Sequence, residues 1–119
     1  MMLFINDTEC VRGECSLPAL PAGNGQTAGR AMREALFRAA VAAADTAAES
    51  AGGLGDPVSV SVRYPYLPNP GETVRSETRI VKRGRKVSNL DVRLFLPDGR
   101  TCCMASLDYH VDLTAVKIQ

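Results

Sequence analysis

The sequence predicts an α+β domain in which an antiparallel sheet covers one long helix. Residues 30–51 contain no glycine or proline and are rich in alanine, the strongest helix former. Residues 56–112 alternate apolar and polar side chains between turn residues, which is typical of strands with one buried face. Because the sequence indicates no other layer, this sheet must bury the apolar side of the helix. We therefore expect the helix at the centre of the core.

The predicted helix is amphipathic and carries a ridge of small residues. At about 100° per residue, apolar and charged side chains separate onto opposite sides. The apolar arc holds Leu36, Ala40, Ala43, Ala44 and Ala47, and the charged stripe holds Arg30, Glu34, Arg38, Asp45 and Glu49. Alanines also recur at every fourth position from Ala31 to Ala51, which forms a flat surface that another backbone can approach closely. Gly52-Gly53 ends the pattern.

Four strands are predicted after the helix, at residues 58–66, 73–82, 87–96 and 101–111. Pro65 marks an edge position or an irregular end of the first strand. The turns between the strands are Pro-Asn-Pro-Gly at 68–71, a break at Gly84, and Asp98-Gly99, whose residues adopt positive φ values readily. The sheet is thus predicted as a meander.

With 119 residues, the chain fits one domain spanning 1–119. Residues 1–29 are predicted as an N-terminal strand and loop, with a possible strand around residues 10–17. The loop is predicted because glycine and proline interrupt regular structure, and this segment contains Pro18, Pro21, Gly23, Gly25 and Gly29. The central helix is assigned to 30–51 and the sheet to 56–112.

The composition argues against several classes of partner. A formal net charge of +1 provides no global field for nucleic acid or an anionic membrane, and three Tyr with three Phe offer little surface for base stacking. The N-terminus lacks the pattern of a signal peptide, and no segment has the roughly 18 apolar residues of a membrane span. A cytoplasmic protein is expected.

The four cysteines do not have the spacing of a zinc site. The spacing of Cys10 and Cys15 barely suits one half of such a site, and the adjacent Cys102 and Cys103 do not suit the other. Neighbours on a strand point to opposite faces, so we expect one packed and one exposed thiol in that pair. We predict neither a metal site nor a cofactor.

Three motifs carry a resemblance to a known family and together cover about two-thirds of the chain. Residues 44–47 read Ala-Asp-Thr-Ala, and residues 64–72 run from a strand end through prolines into Pro-Gly-Glu. Residues 80–88 read Ile-Val-Lys-Arg-Gly-Arg-Lys-Val-Ser and are followed by Asp91-Val92 and Asp98-Gly99-Arg100. The sequence resembles the hotdog-fold acyl-CoA thioesterases, particularly the phenylacetate-degradation type. The resemblance implies a hotdog fold, in which a curled antiparallel sheet wraps one long central helix.

The resemblance also implies an activity and a site. It suggests hydrolysis of a small or medium acyl thioester carried by coenzyme A or by acyl carrier protein, with Asp45 as the catalytic base or nucleophile. Arg83, Gly84, Arg85 and Lys86 form a turn where cations and a backbone N–H can converge on phosphates. Ser59 completes the predicted substrate-binding set. From the residues alone, a solvated stripe and a solvated hairpin are equally ordinary interpretations.

One departure from the family leaves alternatives open. Family members carry His-Gly-Gly, which helps to form the oxyanion hole, where this sequence has residues 36–38, Leu-Phe-Arg. If residues 25–30 replace that element, Asp45 lies nearly two helical turns too far along. A non-catalytic hotdog module that binds or senses acyl thioesters, or a purely structural oligomer, therefore remains an alternative. The unpaired sheet edges predict a homodimer or a homotetramer, and in the family the dimer interface holds the substrate channel.

Overall fold

A six-stranded antiparallel sheet packs on one long helix in the computed structural model, which describes residues 2–5, 8–17, 25–52 and 54–111. The elements are β1 Met2–Ile5, β2 Thr8–Ser16, α1 Gly25–Ala51, β3 Leu54–Arg63, β4 Thr73–Arg83, β5 Val87–Phe95 and β6 Thr101–Val111. The strand order is β1-β2-β4-β5-β6-β3. Helix α1 contacts every strand from β2 to β6. The predicted α+β architecture with a central helix is confirmed.

The sheet is larger than the four predicted strands. All four are present, and the possible strand around residues 10–17 is real, but β1 and β2 join the same sheet through pairing of β2 with β4. The first of the four, β3, begins earlier than predicted, at Leu54, and stops at Arg63, before Pro65. Proline has no N–H to donate to a ladder, which explains the early end. Strand β3 lies at an edge of the sheet, as Pro65 indicated.

The helix begins at Gly25, five residues before the predicted start, so the loop assigned to the end of 1–29 is wrong at residues 25–29. Glycine at position 29 predicts a loop, because glycine in a helix costs about 1 kcal/mol relative to alanine. A side chain of the 64–72 connection packs here instead, since a Cβ at Gly29 would lie 3.9 Å from Cδ1 of Leu67. Tertiary packing thus outweighs local propensity. The rest of the predicted loop, residues 18–24, lies outside the described residues.

The core lies between α1 and the inner face of the sheet. Strands β4, β5 and β6 bury alternate side chains, and the fully buried large residues are Val74, Thr78, Leu90, Val92, Leu94, Leu107 and Tyr109. The helix contributes Met32, Leu36, Ala39, Ala40, Ala44, Ala47 and Ala48. The predicted apolar arc is thus confirmed except at Ala43, which is only half-buried, and the predicted charged stripe is exposed.

The hairpin between β5 and β6 has the predicted chemistry. Gly99 adopts a φ of 93°, and its N–H donates to the carbonyl of Leu96 at 2.9 Å. The carboxylate of Asp98 accepts the backbone N–H of Arg100 at 2.9 Å. That hydrogen bond is the main cause that lowers the pKa of Asp98. The Asp-Gly pair therefore closes the turn as expected.

The adjacent cysteines correct one expectation, because Cys102 and Cys103 are both fully buried. Cys103 pairs with Leu94 and Thr101 pairs with Phe95, so Cys102 is an extra residue in a β-bulge. A bulge interrupts the alternation of faces, and the Sγ of Cys102 donates to the carbonyl of Leu94 at 3.4 Å. Burial raises the pKa of Cys102 to about 11 and that of Cys103 to about 12. Both thiols are protonated core residues at neutral pH.

The packing of the helix on the sheet predicts the response to a larger side chain. Ala44 is fully buried and Ala42, two residues away, is exposed. We expect Ala44→Leu to lower the free energy of unfolding by about 1–3 kcal/mol through overpacking, whereas Ala42→Leu changes it by less than about 0.5 kcal/mol. Urea denaturation of both variants measures the difference. Equal effects of the two leucines would contradict this packing.

Candidate functional site

Asp45 lies in the second half of α1, on the exposed stripe, yet it contacts the sheet. Its Oδ1 accepts a hydrogen bond from the hydroxyl of Tyr109 at 2.7 Å. This distance is typical of a strong bond to an ionised acceptor. The residue as a whole is exposed. One side chain is thus held by the core and accessible to solvent.

Tyr109 is the functional candidate that sequence analysis missed. Its side chain is fully buried near the end of β6, on the same face as Leu107 and Ala105. Burial is the largest cause that raises the pKa of Tyr109, and the hydrogen bond to Asp45 and its charge raise that pKa further. The phenol therefore keeps its proton and acts as a donor. The alternation of β6 places Tyr109 on the inner face, but nothing in the sequence pairs it with Asp45.

The basic turn forms the junction between β4 and β5, with Arg83, Arg85 and Lys86 exposed. The N–H of Gly84 donates to the carbonyl of Val87 at 3.0 Å. A Cβ at Gly84 would lie only 2.3 Å from that carbonyl oxygen, so the turn requires glycine. The carbonyl of Lys86 accepts the N–H of Val111 at 2.8 Å, which attaches the turn to the end of β6.

One row of paired residues connects the basic turn with Tyr109. Arg83 pairs with Ser88, and Ser88 pairs with Tyr109. Directly opposed residues in an antiparallel sheet project to the same face. Arg83 and Tyr109 therefore share the helix-facing side, two strands or about 10 Å apart. The register thus places Arg83, the first residue of the basic turn, at the end and on the face of the sheet where Tyr109 contacts Asp45.

Ser59 is not brought to that face. Its hydroxyl donates to Oδ2 of Asp108 at 2.8 Å, and the side-chain amide of Asn89 donates to Oδ1 at 2.9 Å. These two bonds, with that from Asn89 the larger cause, lower the pKa of Asp108. Asp108 precedes Tyr109 on β6 and so points to the outer face. A role of Ser59 in substrate binding stays a prediction, separate from the site at Asp45.

An apolar groove runs between β2 and the alanine ridge of α1. It encloses about 460 Å³ and is lined mainly by Cys15, Leu17, Ala31, Ala35, Ala39 and Ala42. The ion pair of Glu34 with Arg38, at 2.7 Å, lies at its polar margin. The small side chains of the ridge leave this space open at this part of the helix, whereas their spacing predicted a surface that another backbone approaches closely.

The helix start is remote from Asp45. Asp45 follows Gly25, the first helical residue, by twenty positions, which corresponds to about 30 Å along the axis. Residues 36–38, which replace the family's His-Gly-Gly, lie within the helix, where backbone N–H groups bond to the preceding turn. Neither element of the same subunit offers free N–H groups beside Asp45.

The search for metal-binding and membrane-spanning elements applies to the described residues alone. Within 2–5, 8–17, 25–52 and 54–111, no three or more His, Cys, Asp and Glu side chains form a group that could bind a metal ion. Helix α1 has no stretch that is long and apolar enough to cross a membrane, in the part of the chain that the structure describes.

Comparison with known sequences identifies a family. The sequence profile of the acyl-CoA thioesterase N-terminal domain family matches residues 29–110, from the first turns of α1 almost to the end of β6. Among curated proteins, no sequence matches this chain.

Comparison with solved structures supports the fold. A hypothetical thioesterase from Streptococcus pneumoniae TIGR4, solved with coenzyme A, is similar with a TM-score of 0.69 and 19% identity over 93% of this chain and 84% of that chain. The E. coli PaaI protein of the phenylacetic acid degradation operon has a TM-score of 0.69 and 15% identity, over 86% of this chain and 72% of that chain. The smu.793 protein of Streptococcus mutans UA159, bound to acetyl-CoA, has a TM-score of 0.66 and 19% identity, over 92% and 86% of the two chains.

The order of the elements, the central helix and these similarities agree with the fold that the sequence motifs implied. The chain belongs to the acyl-CoA thioesterase N-terminal domain family and has the hotdog fold.

Proposed function

We propose that this chain hydrolyses a small or medium acyl-CoA thioester, with Asp45 as the base that activates water. The observation that carries the proposal is the position of an exposed carboxylate, held by a buried tyrosine, beside a basic turn on the same face. Asp45 takes a proton from water as the water oxygen attacks the thioester carbonyl carbon. The C–S bond then breaks, the acyl group leaves as a carboxylic acid, and the thiolate takes the proton from Asp45, which restores the carboxylate. In the alternative mechanism, the Asp45 carboxylate itself attacks the thioester carbonyl carbon as the nucleophile.

The basic turn suits the nucleotide end of the substrate. Arg85 and Lys86 are exposed, and charge-assisted hydrogen bonds from such side chains bind phosphates well. A local cluster is needed because the whole chain has a net charge of only +1. Similar folds that were solved with coenzyme A and with acetyl-CoA support this choice of carrier.

The oxyanion that develops at the thioester carbonyl requires hydrogen-bond donors. Neither the start of α1 nor residues 36–38 of the same subunit places such donors beside Asp45. The N–H groups in the first turn of α1 have no intrahelical partner, but they lie about 30 Å from the carboxylate along the helix axis. A second copy of the chain would supply them if its helix ran alongside in the opposite direction. The proposal therefore includes a homodimer with composite sites at its interface.

Strand β3 is the surface that we assign to this dimer. It ends the sheet, so one row of its backbone groups has no partner strand among the described residues. Val58 and Val60 of this strand are 61% and 36% exposed, respectively, and Phe37 of the helix is 38% exposed. Pairing of β3 with its copy would satisfy the backbone groups and cover apolar surface.

The second candidate function is a module that binds acyl-CoA without hydrolysing it. The observation that favours it is that residues 36–38, Leu-Phe-Arg, lie inside the helix. They stand where the family has His-Gly-Gly, so this chain lacks the glycines that help to form the oxyanion hole. The basic turn and the apolar groove would serve binding equally well. The two candidates differ only in whether the carboxylate performs chemistry.

Asp45→Asn separates these candidates, because asparagine keeps the shape of the side chain but cannot accept a proton from water. We expect kcat for acyl-CoA hydrolysis, followed by thiol release over acyl chains of different length, to fall by about a hundredfold. Binding of acyl-CoA by calorimetry should be retained. Glu49→Gln, one turn further along the same exposed stripe, is the matched control. Unchanged hydrolysis in Asp45→Asn would remove Asp45 from its role, and binding without hydrolysis in the wild type would favour the module.

Arg85→Ala tests the basic turn. We expect KM for acyl-CoA to rise about tenfold with little change in kcat, since a lost charge-assisted hydrogen bond to phosphate is worth about 1.5 kcal/mol or more. The same variant should hydrolyse acyl-pantetheine, which lacks the nucleotide, with wild-type kinetics. An equal loss with both substrates would contradict nucleotide binding by Arg85.

Val60→Lys tests the dimer at β3. A lysine on an edge strand opposes strand pairing, so we expect the mass measured by light scattering to fall from that of a dimer to that of a monomer, with loss of hydrolysis. Val81→Lys introduces the same charge at another exposed valine, on the inner strand β4, and should remain dimeric. A monomeric wild type, or a dimeric Val60→Lys variant, would exclude this interface.

A further inference from the structure

The hydrogen bond between Tyr109 and Asp45 connects the buried sheet with the exposed carboxylate. We propose that Tyr109 is a positioning residue, which holds Oδ1 of Asp45 so that Oδ2 is presented to the attacking water. The inference rests on the proposed function, because it assigns the orientation of the same carboxylate. It concerns a contact between residues that lie 64 positions apart in the chain.

The two oxygens of Asp45 have different environments. Oδ1 accepts the phenol at 2.7 Å, whereas among the described residues no group donates to Oδ2. Asp45 as a whole residue is exposed on the helix surface. A carboxylate on a solvated helix face samples several rotamers, and a short bond to one oxygen selects among them. The selected rotamer keeps one acceptor site free for a proton.

The tyrosine is suited to this role because it is immobile. Its side chain is fully buried beneath α1, and its position in β6 is fixed by pairing with Ser88 on β5. A buried aromatic ring has few rotamers and loses little entropy on ordering. The hydroxyl therefore defines a fixed point from which Asp45 is oriented, as preorganised catalytic groups require.

The direction of proton transfer also follows from this environment. The raised pKa of Tyr109 excludes the phenol as the base at neutral pH, so it donates a hydrogen bond throughout the reaction. The proton from water goes to Oδ2 of Asp45, and the O–H bond of Tyr109 is neither broken nor formed.

The hydrogen bond from Tyr109 is the specific contact to remove. Among the described residues it is the one polar contact of the Asp45 carboxylate. On α1, Arg38 is paired with Glu34 instead.

Tyr109→Phe removes the hydroxyl and keeps the buried ring. For acyl-CoA hydrolysis we expect kcat to fall about tenfold with KM unchanged, because an Asp45 side chain without its donor samples rotamers that do not orient the attacking water. Tyr64→Phe removes another partly buried phenol and is the matched control, with wild-type kcat and KM expected.

A second measurement does not depend on turnover. The carboxyl carbon resonance of Asp45, observed by NMR at neutral pH and assigned with Asp45→Asn, should move in Tyr109→Phe and keep its wild-type position in Tyr64→Phe. A lower melting temperature with unchanged kcat and an unmoved Asp45 resonance would reduce Tyr109 to a structural contact and overturn the proposal. Full activity in Asp45→Asn would instead refute the proposed function, whatever the resonance shows.

Discussion

The close approach of α1 to the sheet is the constraint on which the rest of the structure depends. Ala40, Ala44 and Ala47 are fully or almost fully buried and have the smallest side chains that still favour a helix. Larger residues would hold the helix axis further from β5 and β6. An aspartate side chain is short, so Asp45 reaches Tyr109 only because the helix lies this close. The packing that stabilises the core thereby determines the geometry of the carboxylate.

The basic turn depends on a different constraint, which is local and steric. Gly84 has no Cβ, and its N–H therefore bonds to Val87 without a clash. The tight junction keeps β4 and β5 in register up to their ends, apart from the bulge after Ile80. Cations at such a junction project from a rigid base. A nearly neutral chain thus concentrates positive charge at one end of its sheet.

The sequence predicted those parts of the fold whose signals are periodic and local. The alternation in β4, β5 and β6 and the alanine-rich helix are long patterns, and the Asp98-Gly99 turn has its own chemistry. The start of α1 was missed because glycine at 25 and 29 suggests a loop until the packing of Leu67 is known. The burial of both Cys102 and Cys103 required a bulge, which adds one residue without changing local composition.

Only half of the candidate site could be predicted from the sequence, because sequence patterns report local structure. The basic turn is contiguous, so its residues could be grouped before the structure was known. The pair of Asp45 and Tyr109 joins a helix to a strand 64 residues later, and the contact depends on register and on helix rotation. Such quantities are set by the whole core. The resemblance to the thioesterases pointed to Asp45, but no sequence pattern identified Tyr109 as its hydrogen-bond donor.

The row of paired residues Arg83, Ser88 and Tyr109 fixes the distance between the backbone of the basic turn and that of the tyrosine. The distance from the basic turn to the tyrosine is a multiple of the strand spacing, which backbone hydrogen bonds hold nearly constant in all sheets. Insertions in the connecting loops would leave that distance unchanged. If the basic turn binds the carrier and Asp45 performs the chemistry, as we propose, the separation between them stays constant while the connecting loops vary in length.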